Sequence, residues 1–351
     1  MVTRCFCRFN FIHFFKRPTS NQNLSIDISI YRLKCSRNVF SFPIQGYKLF
    51  SILFLSLFLI GTYLFTWYFF KNKQHTTHFP ATYRFVKTGL ILQLLSSISP
   101  WSLGIVIKLL GKDSPYYKYD IFYYLHFQYN GWFLFALVGL SLYLLERRNI
   151  SLPQKKVQQL YGLLLTAVFF GYFSNTLWNK PGLIFNFLAI IGGAAEIGAF
   201  FVFLLIIKRY YRYLQHQISV FSYKILQLIL FTFMLKAVLQ FMGSFQYYAD
   251  LSYHIRDFII GYLHLIMLGI FTPFLLIMAY ELNFIKLSRK AFYLFYSGFL
   301  VTESLIFGRA VLTWFQLKYS DGLFNSILFI FTLWMFTGIV WLVFDTKKQK
   351  T

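Results

Sequence analysis

The stretch YYLHFQYNGWF (residues 123–133) opens an apolar run that continues to Leu145 and stops at the charged residues 146–148. A run of this length forms a helix that crosses the ~30 Å hydrocarbon core of a bilayer. Within it, His126 and Asn130 are four residues apart and therefore share one helix face. Because uncompensated polar groups are costly in hydrocarbon, we expect this face to point into a helical bundle or toward a cofactor.

The composition of the whole chain indicates the same environment. Of the 351 residues, 58% are hydrophobic and only 13% are charged, and the mean hydropathy is +0.56. This composition is typical of a polytopic membrane protein and excludes a soluble globular domain. The formal net charge is +23, but the basic residues lie between apolar runs, as they do in the loops of membrane proteins. We therefore expect the lipid bilayer as a partner and no nucleic acid.

The apolar runs predict an all-α, polytopic transmembrane helical bundle of about nine spans. The helical domain covers residues 42–345, preceded by an atypical, poorly ordered segment, 1–41, and followed by a basic tail, 346–351. Pro100 and Pro273 are expected to interrupt their helices, because proline has no N–H to donate. No internal repeat is apparent, which counts against an inverted-repeat transporter. The predicted spans are 48–70, 83–110, 119–145, 157–178, 182–207, 221–246, 256–281, 289–312 and 322–344.

The distribution of lysine and arginine predicts the orientation of the bundle. The first, third, fifth and seventh connections and the C-terminus hold 18 basic residues, whereas the other connections hold 6. Because positive loops favour the cytoplasm, we expect a multi-pass protein of a cell inner membrane with a cytoplasmic C-terminus. This orientation conflicts with the basic residues within 1–41. We therefore expect that segment to reflect a truncated or frame-shifted start rather than the natural lead into the first span.

Several polar side chains lie deep in the predicted spans, where they are expected to face the bundle interior or a water-filled cavity. Neutral imidazole is the commonest metal ligand, so the deep histidines are candidates for a cofactor or metal site. Hydrogen-bonded core histidines and ordinary interhelical ion pairs are the alternative interpretations. The deep polar residues are His126, Asn130, Glu196, Lys236, His264, Glu303 and Arg309.

The seventh span, HIRDFIIGYLHLIMLG (254–269), resembles the tenth helix of subunit I of the haem-copper oxidases, the family of cytochrome c oxidase and nitric oxide reductase. In that family a rim histidine, here His254, precedes an H-x-H pair. The first histidine of the pair ligates the high-spin haem and the second ligates the low-spin haem. The pair falls on Tyr262 and His264. The resemblance therefore implies His264 as a haem axial ligand, with Tyr262 in place of the high-spin ligand.

The third span, LHFQYNGWFLFALVG (125–139), resembles the sixth helix of the same subunit. The family has a copper-binding histidine there, followed four positions later by an acidic residue in the nitric-oxide-reductase-like branch. These positions are His126 and Asn130, so the resemblance implies a copper-side position at His126. The segment SFPIQGYKLFSILF (41–54) resembles the junction of helices three and four in a shorter branch. The nine spans would then correspond to helices four to twelve.

The chain departs from the family at most metal ligands. The family's helix-seven histidine pair would fall in the fourth span, YGLLLTAVFFGYFSNTLW (161–178), which contains no histidine. The histidine-rich motif that the shorter branch carries upstream, on its second helix, does not occur in residues 1–41. We therefore expect weak or substoichiometric haem, no stoichiometric copper and an incomplete catalytic ligand set.

The resulting expectation is an oxidase-like membrane protein, linked to respiratory electron transport and to other respiratory-chain subunits, but degenerate as an oxidase. Whether it is an enzyme stays open. One alternative is a non-haem membrane transport or binding protein with Glu196, Lys236 and Glu303 on a polar path. The other is a structural subunit of a respiratory complex. A visible absorption spectrum of the purified protein separates the haem interpretation from both.

Overall fold

A computed structural model describes residues 49–71, 78–211, 215–216 and 218–347. Within these ranges the regular structure is helical, and nine helices are long and apolar enough to cross a membrane. The predicted fold class and number of spans are thus confirmed at this level. The atypical segment 1–41 lies outside the described residues. The nine spans are α1 (Leu49–Lys71), α2 (Pro80–Leu110), α3 (Pro115–Glu146), α4 (Gln154–Asn179), α5 (Leu183–Arg209), α6 (Val220–Met242), α7 (Arg256–Glu281), α8 (Arg289–Trp314) and α9 (Asp321–Lys347).

The chain passes up and down through the bundle, and polar bonds join the ends of successive spans. At the start of α3 and the end of α4, Asn179 Nδ2 donates to the Tyr119 hydroxyl at 2.8 Å. At the other end, the Tyr210 hydroxyl next to α5 donates to the Ser151 carbonyl before α4 at 2.6 Å. The end where α3 stops and α4 starts is called the basic end below, after the charges of its connections, and the other is called the opposite end.

At the basic end, two helix pairs, α2–α3 and α6–α7, are joined by the same kind of contact between a glutamate and backbone N–H groups. The Glu146 carboxylate at the end of α3 accepts hydrogen bonds from Ala81 N and Thr82 N, at 3.0 and 2.9 Å, at the start of α2. The Glu281 carboxylate at the end of α7 accepts from Ser219 N, the cap of α6, at 3.2 Å. A carboxylate satisfies first-turn N–H groups and interacts favourably with the helix dipole. Each glutamate thus fixes the preceding span beside its own.

The spans α3 and α7 form the centre of the bundle. Both change from α-helix to a seven-residue π-helix, at Phe127–Phe133 in α3 and Leu265–Phe271 in α7. Toward the basic end their side chains are almost all buried, including every residue of 273–279. Most of α9, by contrast, is exposed, as expected for a lipid-facing helix. The hydrophobic core therefore lies toward the basic end, and α3 and α7 contribute most of its central residues.

Both prolines inside spans lie where a helix changes. The first segment of α2 ends at Ser96 and the second begins at Ile98, two residues before Pro100. Pro273 is the second residue of the α-helix that follows the π segment of α7. In each case the residue four positions earlier receives no hydrogen bond from the proline, so the helix changes geometry there. The predicted interruptions are therefore found.

The polypeptide between α6 and α7 differs from the prediction. The sixth span ends at Met242 rather than 246, and a short connecting helix, Gln246–His254, follows it. Gln246 Nε2 donates to the Asp250 carboxylate at 2.9 Å and to the Leu177 carbonyl of α4 at 2.7 Å. These hydrogen bonds hold the connecting helix across the opposite end of the bundle. Hydrophobicity alone does not predict this helix, because its residues are polar.

Close backbone contacts join α5 to α4 and α6. A Cβ added at Gly192 would overlap the backbone of Gly171, and one at Gly193 would lie 2.9 Å from Phe241 Cα. Only glycine allows helices to approach this closely. These two glycines therefore hold α5 close against α4 and α6.

Candidate functional site

His126 is the last α-helical residue of α3 before the π segment, and its side chain is buried. Its Nε2 lies 2.8 Å from the Val168 carbonyl of α4, so Nε2 carries the proton and donates it. Its Nδ1 then accepts hydrogen bonds from Asn130 Nδ2 and Asn175 Nδ2, each at 3.1 Å. Both ring nitrogens of His126 are therefore engaged by the protein.

Tyr262 of α7 faces the same group of side chains. Its hydroxyl donates to Gln240 Oε1 of α6 at 2.6 Å and lies 3.4 Å from Asn130 Oδ1. Gln240 Nε2 in turn donates to Ser174 Oγ of α4 at 3.1 Å. Side chains from α3, α4, α6 and α7 thus form one network around a cavity of about 100 Å³.

His264 belongs to a different site, although it is only two residues from Tyr262. Its Nδ1–H donates to Glu303 Oε2 of α8 at 3.0 Å, and the ring packs beside Phe299. The His264 side chain is 26% exposed, whereas that of Glu303 is 10% exposed. Because one ring nitrogen donates to a carboxylate, the lone pair of the other, Nε2, points away from Glu303. The two deep histidines do not share a site.

Glu196 of α5 and Lys236 of α6 form an ion pair with both side chains fully buried. The Lys236 ammonium lies 6.0 Å from the centre of the Tyr262 ring, so this pair borders the network around His126. Glu303 is bonded to His264 instead. The three charged residues expected on one polar path are thus divided between two places in the bundle.

The charged residues near the opposite end pair between neighbouring helices. Asp257 accepts two hydrogen bonds from the Arg309 guanidinium of α8, both at 2.7 Å. His254 is exposed and its Nδ1–H donates to the Asp250 carbonyl at 2.8 Å. His254 therefore lies at the rim as expected. Asp257 bonds to Arg309 rather than to His254, in the bidentate geometry typical of a strong arginine–carboxylate pair.

The donor groups decide how well these residues fit copper or haem. In the described part of the chain, no three His, Cys, Asp or Glu side chains form a group that could hold a metal ion. His126 does not fit copper, because neither ring nitrogen is free for a metal. His264 fits one axial position of a haem, since a ligating imidazole typically donates its other N–H to a carboxylate. The cavity beside His126 is far below the ~300–1,000 Å³ of pockets for drug-sized ligands, so it does not fit a haem.

Three residues of the network were not singled out from the sequence: Ser174, Asn175 and Gln240. Each is a polar side chain inside an apolar span, and each lies in the same half of the bundle as His126. A search of the spans for uncharged polar residues would identify these three, whereas a search for charged residues does not. Amides and hydroxyls in lipid need interhelical partners just as ionisable groups do.

Fold and site together define a polytopic helical membrane protein whose two central helices carry separate polar centres. No known protein-family model matches the chain, and no curated protein matches it either.

Proposed function

We propose that this protein is a haem-binding membrane protein of the oxidase subunit I type, with His264 as the axial ligand. The proposal is supported by one observation above all. The His264 Nδ1–H donates to the Glu303 carboxylate, which leaves the Nε2 lone pair with a fixed direction for binding a metal. Neutral imidazole oriented in this way is a good axial ligand for haem iron.

The surroundings of His264 suit a large, flat, apolar ligand better than those of His126 do. His264 is partly exposed, and its neighbour Ile260 on the same face of α7 is 48% exposed. Phe299 packs against the imidazole from α8. A bound haem would supply one-electron redox chemistry, and the residues named here would hold and orient it.

The proposal stops short of oxygen reduction. The family has a second low-spin ligand on an upstream helix, and no described residue faces His264 as a second imidazole. Tyr262 occupies the position of the high-spin ligand but donates its proton to Gln240. We therefore propose electron transfer or haem binding alone, with no stoichiometric copper.

The proposed setting follows from the charges. The basic end faces the cytoplasm, and so does the C-terminal end of α9, in the inner membrane of a cell. The bilayer surrounds the bundle, and other respiratory-chain subunits are the proposed electron-transfer partners. The alternative of a polar transport path is less well supported, because Glu303 is bonded to His264 and not to the Glu196–Lys236 pair.

Haemin titration tests the proposal. Purified protein in lipid nanodiscs is titrated with haemin while the Soret absorbance is followed. We expect binding to be lost in His264→Ala and retained in His126→Ala. Glu303→Gln should weaken binding by about 10–100-fold, because it removes the charge behind the imidazole. Glu146→Gln, which changes a carboxylate at the basic end, serves as the matched control and should leave binding unchanged.

The proposal would be contradicted if His264→Ala bound haemin with the same affinity as the wild type. The transport or structural interpretation would then be the better account of the protein.

A further inference from the structure

The cavity beside His126 is a second centre, independent of His264. It has a volume of about 100 Å³ and is lined by side chains of α3, α4, α6, α7 and the connecting helix. A water molecule takes up about 30 Å³ of the liquid, so the space suits a few waters or one solute of a few heavy atoms. What the cavity accepts depends on which polar atoms face it.

The Val168 carbonyl determines the state of His126. A carbonyl oxygen only accepts, so the Nε2 atom that lies 2.8 Å from it must carry the proton. The neutral ring then has an unprotonated Nδ1, which only accepts. The tautomer of His126 is therefore set by the backbone of α4.

His126 in turn determines how two amides point. Its Nδ1 is 3.1 Å from the side-chain nitrogens of both Asn130 and Asn175, so each amide presents its NH2 group to the ring. The carbonyl oxygens of both amides are thereby turned away from the ring, and both residues line the cavity. No described side chain donates to Asn175 Oδ1.

Tyr262 and Gln240 complete the arrangement. The single hydroxyl proton of Tyr262 goes to Gln240 Oε1 at 2.6 Å, which is much closer than Asn130 Oδ1 at 3.4 Å. The Gln240 NH2 group donates to Ser174 Oγ. The donors named here are thus used within the protein, and the side-chain oxygens of Asn130 and Asn175 are left as acceptors for a ligand.

We propose that this cavity binds a small uncharged solute through its N–H or O–H groups, with His126 as the positioning residue. A charged solute is disfavoured, because no described Lys, Arg, Asp or Glu side chain lines the cavity and burying an unpaired charge is costly. The remaining class is a neutral hydrogen-bond donor of about four heavy atoms or fewer, which matches the cavity volume.

The lining also indicates where such a solute enters. Trp178 at the end of α4 and Tyr253 of the connecting helix both line the cavity, and their rings stack at 4.4 Å between centres. Lys118 of α3 donates to the Tyr253 hydroxyl. These residues lie at the opposite end of the bundle, so the solute enters from that side rather than from the basic end.

The test compares two solutes of equal size. Acetamide and acetone each have four heavy atoms, but only acetamide donates hydrogen bonds. Saturation-transfer NMR on the methyl protons of each, with haem-free protein in nanodiscs, reports contact with the protein. We expect wild-type protein to favour acetamide over acetone by roughly 2–10-fold per hydrogen bond formed.

Three variants separate positioning from simple structure. Asn175→Leu removes an acceptor oxygen and leaves the side-chain volume similar. His126→Phe removes the ring nitrogen that orients the amides of Asn130 and Asn175. Each variant should lose the preference for acetamide and still bind acetone. Asn325→Leu, at an exposed position of α9, is the matched control and should keep the preference. Thermal unfolding verifies that each variant is folded. Because Asn175 is only partly buried, this variant carries the test if His126→Phe does not fold.

Equal signals for acetamide and acetone in the wild type, or a preference that persists in folded Asn175→Leu, would overturn the proposal. The cavity would then hold water only.

Discussion

His126 and His264 occupy equivalent places in the two central helices, yet their surroundings differ. Each is the last α-helical residue before a seven-residue π segment. His126 is buried with both ring nitrogens bonded, because α4 brings a carbonyl and an amide to it. His264 is partly exposed, and α8 brings one carboxylate to one nitrogen. The same backbone feature thus supports a fixed hydrogen-bonding residue in α3 and an available ligand nitrogen in α7, and the neighbouring helix makes the difference.

The largest expected effect is a difference in chemical reactivity between these two histidines. Diethyl pyrocarbonate acylates unprotonated imidazole nitrogens that it can reach. In haem-free protein we expect His264 to be labelled and His126 to stay unlabelled, because no ring nitrogen of His126 is free. Peptide mass spectrometry measures the modified fraction, and the exposed His254 provides the positive control. Labelling of His126 at the rate of His264 would contradict the comparison.

The next effect concerns the ion pair behind the His126 network. Lys236→Met leaves the Glu196 carboxylate buried without its partner, which costs about 3–5 kcal/mol in the free energy of unfolding. Lys236→Met combined with Glu196→Gln should recover most of this loss, because neither side chain is then charged. Unfolding in mixed detergent–SDS micelles gives both values. The idea fails if the double variant is as unstable as the single one.

The smallest effect concerns a single hydrogen bond between α7 and α6. Tyr262→Phe removes the bond to Gln240 and should cost about 0.6 kcal/mol, and at most ~1.7, as for other interhelical hydrogen bonds in membranes. Tyr129→Phe is the matched control, since Tyr129 lines the same cavity and its hydroxyl bonds to no described residue. The same unfolding assay applies, and equal losses in the two variants would show that packing rather than the bond matters.

The span boundaries were predictable because the thickness of the bilayer fixes the length of an apolar run. The seventh span, 256–281, is predicted and observed with the same bounds. The connecting helix was missed because Gln246 and Asp250 make its polarity similar to that of a loop. The π segments were missed for another reason. In a π-helix each hydrogen bond spans one residue more than in an α-helix, which changes which side chains share a face but leaves the hydrophobicity of the sequence unchanged.

The sites were predictable only in part, because sequence spacing along one helix does not determine contacts between helices. The pairing of His126 with Asn130 follows from their spacing of four residues and is found. The partners Val168 and Asn175 come from α4, and no pattern within α3 indicates them. Likewise, the sequence of α8 does not indicate the partners of its two charged residues. Glu303 bonds to His264 and Arg309 bonds to Asp257, both on α7.

The glutamates at the basic end have a consequence for biosynthesis. The first N–H groups of α2 donate to Glu146, a residue that is synthesised only at the end of α3. In the same way, Ser219 N donates to Glu281, which is synthesised only at the end of α7. Until then water must satisfy these groups, so the start of α2 or α6 has to stay at the membrane surface. The first turns of α2 and α6 are therefore fully hydrogen-bonded within the protein only after the second helix of each pair has been made.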